Sequence, residues 1–216
     1  MNYEKVARTF DQWAADGRDA GMEREHSDVA IQVVAQLDIR PGEQILDLGC
    51  GNGWATRLLA KSAAGATAIG VDVSPRMIES AERLHSLTIR ARYEVAAFEN
   101  LGFKDAKFDR LFSMEALYYA IDLERALGEA HRVLRLDGRA DVIVDFFAES
   151  PSTRGWPTKT GLAMHYLSTQ QWREAFERAG FVALCTQIVK DTRPPAGDPL
   201  HAASKVCGSL WISARK

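Results

Sequence analysis

The sequence predicts one α/β domain, a mostly parallel sheet covered by helices on both faces. Three observations carry this reading. Short apolar segments alternate with amphipathic helical segments from residue 44 to residue 147. A glycine-rich run falls directly between the first apolar segment and the helix after it. The length of 216 residues and the 46% hydrophobic content suit a single core of ordinary size.

The elements follow in order. Residues 3–16 read as a helix, because Val6, Phe10 and Trp13 recur at helical spacing and Gly17 can end it. A second helix over about 22–37 places Val29, Val33 and Leu37 on one side, and Pro41–Gly42 turn the chain. Residues 1–40 are expected to form a helical cap on the domain. Strands are predicted over 44–50, 67–73, 90–95, 108–114 and 139–147. Between them, Ala55, Leu58 and Leu59 mark one helix. Ser74 caps another, with Pro75 at its first position. A third covers about 122–134. Residues 148–167 are rich in Ser, Thr, Gly and Pro and read as a long connection, expected to act as a substrate lid. Ser168 with Gln171 is a capping-box pair, and Gly180 a C-terminal stop. Strands over about 181–190 and 206–214 close the chain as an antiparallel hairpin whose connecting loop has no helix signal.

Composition narrows the function classes. A net charge of −2 gives no electrostatic reason for a nucleic-acid partner. No apolar run reaches membrane-span length and the N-terminus has no signal-peptide core, so a cytoplasmic protein is expected. Cys50, Cys185 and Cys207 have no metal-ligand spacing, and no metal site is predicted. The last two lie in apolar segments, where buried free thiols are expected.

The sharpest chemical signal is Asp47-Leu48-Gly49-Cys50-Gly51-Asn52-Gly53. Glycines at a strand-to-helix turn let backbone amides approach a ligand, and the helix start offers unpaired N–H groups. Asp72 ends the second strand 19 residues after Gly53, where a carboxylate can accept from both hydroxyls of a ribose. The spacing is one residue short of the GxGxxG dinucleotide pattern. An acid at Asp47 suits a ligand with a cationic amino group better than a pyrophosphate.

With these residues in place, ILDLGCGNG (45–53), GVDVSPRMIESA (70–81), FDRLFSMEALYY (108–119) and EAHRVLRLDGRADVIVDF (129–146) resemble successive motifs of class I S-adenosylmethionine-dependent methyltransferases. The resemblance spans residues 40–190 and points to the small-molecule branch that includes ubiquinone/menaquinone and sarcosine methyltransferases. It implies a Rossmann-like seven-stranded sheet of order 3-2-1-4-5-7-6 with strand 7 antiparallel, and S-adenosyl-L-methionine as cofactor, leaving S-adenosyl-L-homocysteine. By resemblance, Asp47, Gly49, Cys50, Gly51 and Gly53 form the turn around its methionine part, and Asp72 holds the ribose. Val73 and Met77 pack near the adenine, and Ser113 and Met114 line the pocket. Where relatives carry an acid that bonds the adenine amino group, this chain has Ala97, leaving the Phe98 amide and ring to meet the base.

The acceptor is expected to be a small, partly apolar molecule. Candidate regions are Tyr3, Phe10, Trp13 and His26 near the start, Glu115, Tyr118 and Tyr119 after strand four, Asp145 and Glu149 after strand five, and Trp156, His165 and Tyr166 in the lid. Glu115, Tyr119 and His165 are predicted to orient the acceptor, with His165 as a base. Only one of Tyr118 and Tyr119 is expected to leave the core. His131 is expected to serve a helix end. The alternatives are a non-catalytic binding protein on the same fold, an NAD-type oxidoreductase, and a nucleic-acid methyltransferase, although SMEALYY is unlike an NPPY-type run.

Overall fold

The computed structural model describes residues 2–193 and 206–216. The loop inside the predicted terminal hairpin therefore lies largely outside the described residues. In chain order the elements are α1 (Tyr3–Ala15), α2 (Asp19–Val34), β1 (Gln44–Leu48), α3 (Trp54–Lys61), β2 (Thr67–Asp72), α4 (Pro75–Arg83) and β3 (Ala91–Val95). They continue with β4 (Phe108–Met114), α5 (Leu123–Val133), β5 (Leu134–Val144), α6 (Trp156–Thr160), α7 (Thr169–Arg178), β6 (Val182–Val189) and β7 (Ser209–Arg215).

The strands form one seven-stranded sheet of order β3-β2-β1-β4-β5-β7-β6, with β7 antiparallel to both neighbours. Alternating side chains feed two cores. On one face Ile45, Ala68, Ala91, Phe112 and Ile143 pack with residues of α2, α3 and α4. On the other, Leu46, Leu48, Ile69, Val71 and Val144 pack with residues of α5 and α7. A sheet buried on both sides needs near-continuous apolar strands, which is why QILDL and TAIGVD read as they do. The parallel register leaves the carboxyl ends of β1, β2, β4 and β5 along one edge, where ligands collect in open α/β sheets.

Specific bonds dock the N-terminal helices across that edge. Asn2 caps α1 by accepting from the Lys5 N–H at 3.0 Å. Asp11 of α1 accepts from the Ser74 hydroxyl at 2.6 Å and the Arg76 N–H at 3.1 Å, at the start of α4. Buried Asp19 of α2 accepts from the Ser80 hydroxyl at 2.6 Å. The capping box at Ser168 and Gln171 is formed, and Gly180 ends α7 at φ 96°.

Three expectations change. The second helix starts at Asp19 rather than Met22 and stops at Val34, so Leu37 is buried from a turn instead of a helix. Residues 148–167 carry a 3₁₀ turn, Pro151–Thr153, and the short helix α6. Cys185 is exposed because β6 is an edge strand, and Cys207 is half-buried; only Cys50 is a buried thiol. Among the described residues no helix is long and apolar enough to cross a membrane.

Candidate active site

One end of the site is the turn after β1. Gly49, Gly51 and Gly53 all have positive φ. At Gly49 a side chain would sit 2.2 Å from the Ala116 Cβ, and at Gly53 it would sit 2.4 Å from the Tyr93 ring. Both positions therefore need glycine for backbone shape and for close approach. The turn's amides are less available than its sequence suggests. Gly49 and Cys50 donate to the Val71 carbonyl, Gly53 to the Cys50 carbonyl, and Gly51 to Asp72 Oδ2 at 3.0 Å. The Asn52 side chain takes the Trp54 N–H at the start of α3.

The two acids here play different parts. Asp72 lines the cavity, and its other oxygen accepts from the Ser74 N–H at 2.9 Å. Burial pushes its acid up to about 6, against the opposing pull of these backbone donors. Each oxygen keeps a lone pair for a further donor such as a ribose hydroxyl. Asp47 lies beneath the floor instead of on it, and Oδ2 accepts from the Thr56 hydroxyl at 2.6 Å. Burial raises it to about 7, with the Thr56 bond opposing and the Asp72 charge adding to the rise. Two buried acids, the charge of one raising the other, favour a cationic ligand.

Cys50, Val73, Met77, Phe98 and Met114 line the cavity. Ala97, Ser113, Asp47 and Gly53 do not line it. The Ala97 carbonyl accepts from the Asn100 N–H in a tight turn, and the Phe98 ring fills the space beside Gly49. The Ser113 hydroxyl donates to the Leu48 carbonyl at 2.9 Å, strapping β4 to β1 in the core.

The cavity, about 680 Å³ in volume, continues from this turn to a second end between α1, α2, α6 and the segment after β4. Phe10 packs edge-on to Trp13 and Tyr119, with ring centroids 5.1 and 5.0 Å away. Both tyrosines border the cavity; Tyr118 is a core residue packed on Phe146, as expected of one of the pair, and Tyr119 packs on Phe10. Glu115 takes φ 55° and a 3₁₀ turn follows at Leu117–Tyr119, and together these redirect the chain after β4. Glu115 accepts from the Tyr118 hydroxyl at 2.9 Å on one oxygen and from the Asp145 N–H on the other. Burial and the Asp145 charge push its acid well above the usual range. A polar atom of His26 lies within 4.8 Å of those of Glu115 and Asp145.

His165 is placed elsewhere. Its Nε2 is 2.9 Å from the Ala120 carbonyl, its N–H donates to the Tyr118 carbonyl, and it does not line the cavity. It acts as a strut behind the tyrosines. Arg18, Asn52, Trp54, Lys159 and Thr160 line the cavity without having been singled out from the sequence. His26 had a legible signal, because Met22, His26, Val29 and Val33 share one stripe of α2 and the two at its start face the cavity.

Comparison with known proteins fits this geometry. Residues 46–141 match the family model described as a methyltransferase domain. A methyltransferase partner in a complex with the Haloferax volcanii Trm112 methyltransferase activator is 30% identical. It aligns over 95% of this chain and 96% of its own, with TM-score 0.88. Methyltransferase GfsG of Streptomyces halstedii is 30% identical over 76% of this chain and 62% of its own length. O-methyltransferase resE of Aspergillus sclerotiorum is 29% identical over 84% of this chain and 71% of its own. The chain spans less than two thirds of GfsG and under half of the Botryococcus braunii squalene methyltransferase 2, at 47%. This chain belongs to the S-adenosylmethionine-dependent methyltransferases.

Proposed function

We propose that this protein transfers the methyl group of S-adenosylmethionine to a small-molecule acceptor by in-line displacement. The observation that carries the reading is one continuous cavity. Its first end holds Gly49, Gly51 and Asp72, and its second end holds aromatic rings with His26 and Glu115. The residues present fit the cofactor. Asp72 has acceptor capacity for two ribose hydroxyls, buried Asp47 and Asp72 favour its positive charge, and Val73, Met77 and Phe98 offer an apolar slot for the adenine. When bound, the cofactor supplies an already reactive sulfonium methyl.

The protein's own contribution is then placement and exclusion of water. Phe10, Trp13 and Tyr119 form the wall that orients an acceptor, and α1, α2 and α6 cover it. In this reading residues 1–40 serve as the cap and 148–167 as the lid, with Trp156, Lys159 and Thr160 contributing the lid's inner surface. Relatives named for small molecules, including squalene methyltransferase 2 and 27-O-demethylrifamycin SV methyltransferase, support a small acceptor over nucleic acid. The absence of GxGxxG spacing weighs against nicotinamide chemistry. An activator protein as partner is supported by the Haloferax relative, which was solved with one. A cytoplasmic setting agrees with the three free cysteines.

Calorimetric titration with adenosylhomocysteine, alongside a metabolite panel with methyl-labelled S-adenosylmethionine, tests the reading. Saturable adenosylhomocysteine binding and label transfer to a small molecule are expected. Binding of NAD in preference to adenosylhomocysteine would sink it.

A further inference from the structure

We propose that His26 is the general base of the transfer, taking the proton from an attacking hydroxyl while Glu115 and Asp145 position its ring. This rests on the methyl-transfer reading above and deepens it by naming the acceptor group.

Among the described residues His26 is the one histidine that lines the cavity. The others have different places: His85 packs on Tyr93, His131 on Phe181, and His165 on the Ala120 carbonyl. His26 stands on α2 across from the carboxyl ends of β4 and β5, with Glu115 and Asp145 within 4.8 Å. Glu115 cannot swing away, since one oxygen is held by the Tyr118 hydroxyl and the other by the Asp145 N–H. Held on both oxygens, Glu115 is fixed in place, and the Asp145 charge that raises its acid is a negative charge beside the His26 ring. That Asp145 charge stabilises the imidazolium that forms on proton uptake. The remaining charged and titratable groups around this end are Arg18, Arg24, Glu25 and Lys159 toward the mouth and Tyr118 and Tyr119 on the wall.

The chemistry selects the acceptor. A neutral amine or a thioether attacks with its own lone pair and needs no base during attack. A hydroxyl is a weak nucleophile unless its proton leaves as the bond forms. The oxygen forms a bond to the methyl carbon as the carbon–sulfur bond breaks, and the sulfur keeps that electron pair. The hydroxyl proton moves to the ring nitrogen of His26. The products are a methyl ether, neutral adenosylhomocysteine and imidazolium, so charge and atoms balance. The same three side chains could instead hold a divalent cation, but both Glu115 oxygens already accept hydrogen bonds. That option is an outcome of the test.

The assay uses methyl-labelled S-adenosylmethionine with phenols and primary alcohols, each paired with the matching amine. Hydroxyl acceptors are expected to be labelled. His26→Gln is expected to lower kcat by about 100-fold or more, with KM and adenosylhomocysteine affinity nearly unchanged. The acidic limb of the wild-type pH–kcat profile disappears in His26→Gln and moves to lower pH in Asp145→Asn. A second measurement needs no acceptor. With adenosylhomocysteine bound, the ring nitrogen NMR signals of His26 titrate, and Asp145→Asn lowers their midpoint; Asp145→Ser does the same if Asp145→Asn folds poorly. The proposal is overturned by wild-type kcat in His26→Gln or by labelling of amines alone. It is equally overturned by His26 signals indifferent to both Asp145 variants, or by activity lost to EDTA and restored by Mn²⁺. Failure of adenosylhomocysteine to bind would instead count against the methyl-transfer reading itself.

Discussion

The two ends of the cavity are built by opposite means. The end proposed for the cofactor comes mostly from neighbouring stretches of chain, β1, its glycine turn, the end of β2 and the start of α4, between residues 44 and 77, with Phe98 added. Its bonds are mostly local, such as Gly51 to Asp72 and Ser74 to Asp72. The end proposed for the acceptor is assembled from α1, α2, the segment after β4 and α6, which are far apart in sequence. The first end is a property of a motif, and the second is a property of how distant helices dock on a sheet edge. A local motif can be kept while remote segments vary, so one fold can serve many acceptors.

The largest effect should come from the motif. Gly53→Ala forces a side chain into left-handed backbone and against the Tyr93 ring, so a stability loss of about 3 kcal/mol is expected in urea unfolding. A loss under about 1 kcal/mol would mean that α3 and Tyr93 can shift, and that the motif is less rigid than its contacts indicate. Asp72→Ala should weaken adenosylhomocysteine binding about 100-fold by calorimetry, through the lost hydrogen bonds to a charged acceptor. Unchanged affinity would remove Asp72 from the binding role.

A pH experiment separates Asp47 from the cavity surface. Its folded acid is raised to about 7 against a usual value near 4, so the folded state holds more protons than the unfolded chain across that window. Stability contributed by the protonated acid is present below pH ~4, falls as pH rises toward 7, and is flat above. Asp47→Asn should remove this slope, gaining about 2 kcal/mol on the wild type between pH 5 and pH 8 in parallel unfolding curves. Identical slopes would show that the Thr56 bond offsets the burial cost. The smallest effect is expected at His165→Ala. Loss of its contact with the Ala120 carbonyl should cost about 1 kcal/mol, with turnover and adenosylhomocysteine affinity preserved. Loss of turnover at preserved cofactor affinity would return His165 to the acceptor site.

Legibility in the sequence followed the same division. The strands, their helices, the capping box at Ser168 and the turn glycines were readable, because each depends on neighbours a few residues away. Val73, Met77, Phe98 and Met114 came from motif resemblance and do line the cavity. Ser113 and Asp47 carry the right chemistry in the right strands but aim at Leu48 and Thr56, since alternation along a strand sends one side chain to a core and the next elsewhere. His165 sits in a polar segment that suggested a lid, yet the extended chain there runs along the Tyr118–Ala120 turn and uses the ring as a brace.

The amino-acid sequence by itself determined the element order, the glycine turn and the acid at the end of β2, because backbone sterics and short-range periodicity act within a few residues. Only the tertiary structure decided which polar groups meet. His26 comes within 4.8 Å of Glu115 and Asp145 through the docking of α2 across the sheet edge, held by contacts such as Asp19 with Ser80, sixty-one residues away. Contacts at such separation depend on packing among distant side chains, for which no local pattern in the chain carries a signal.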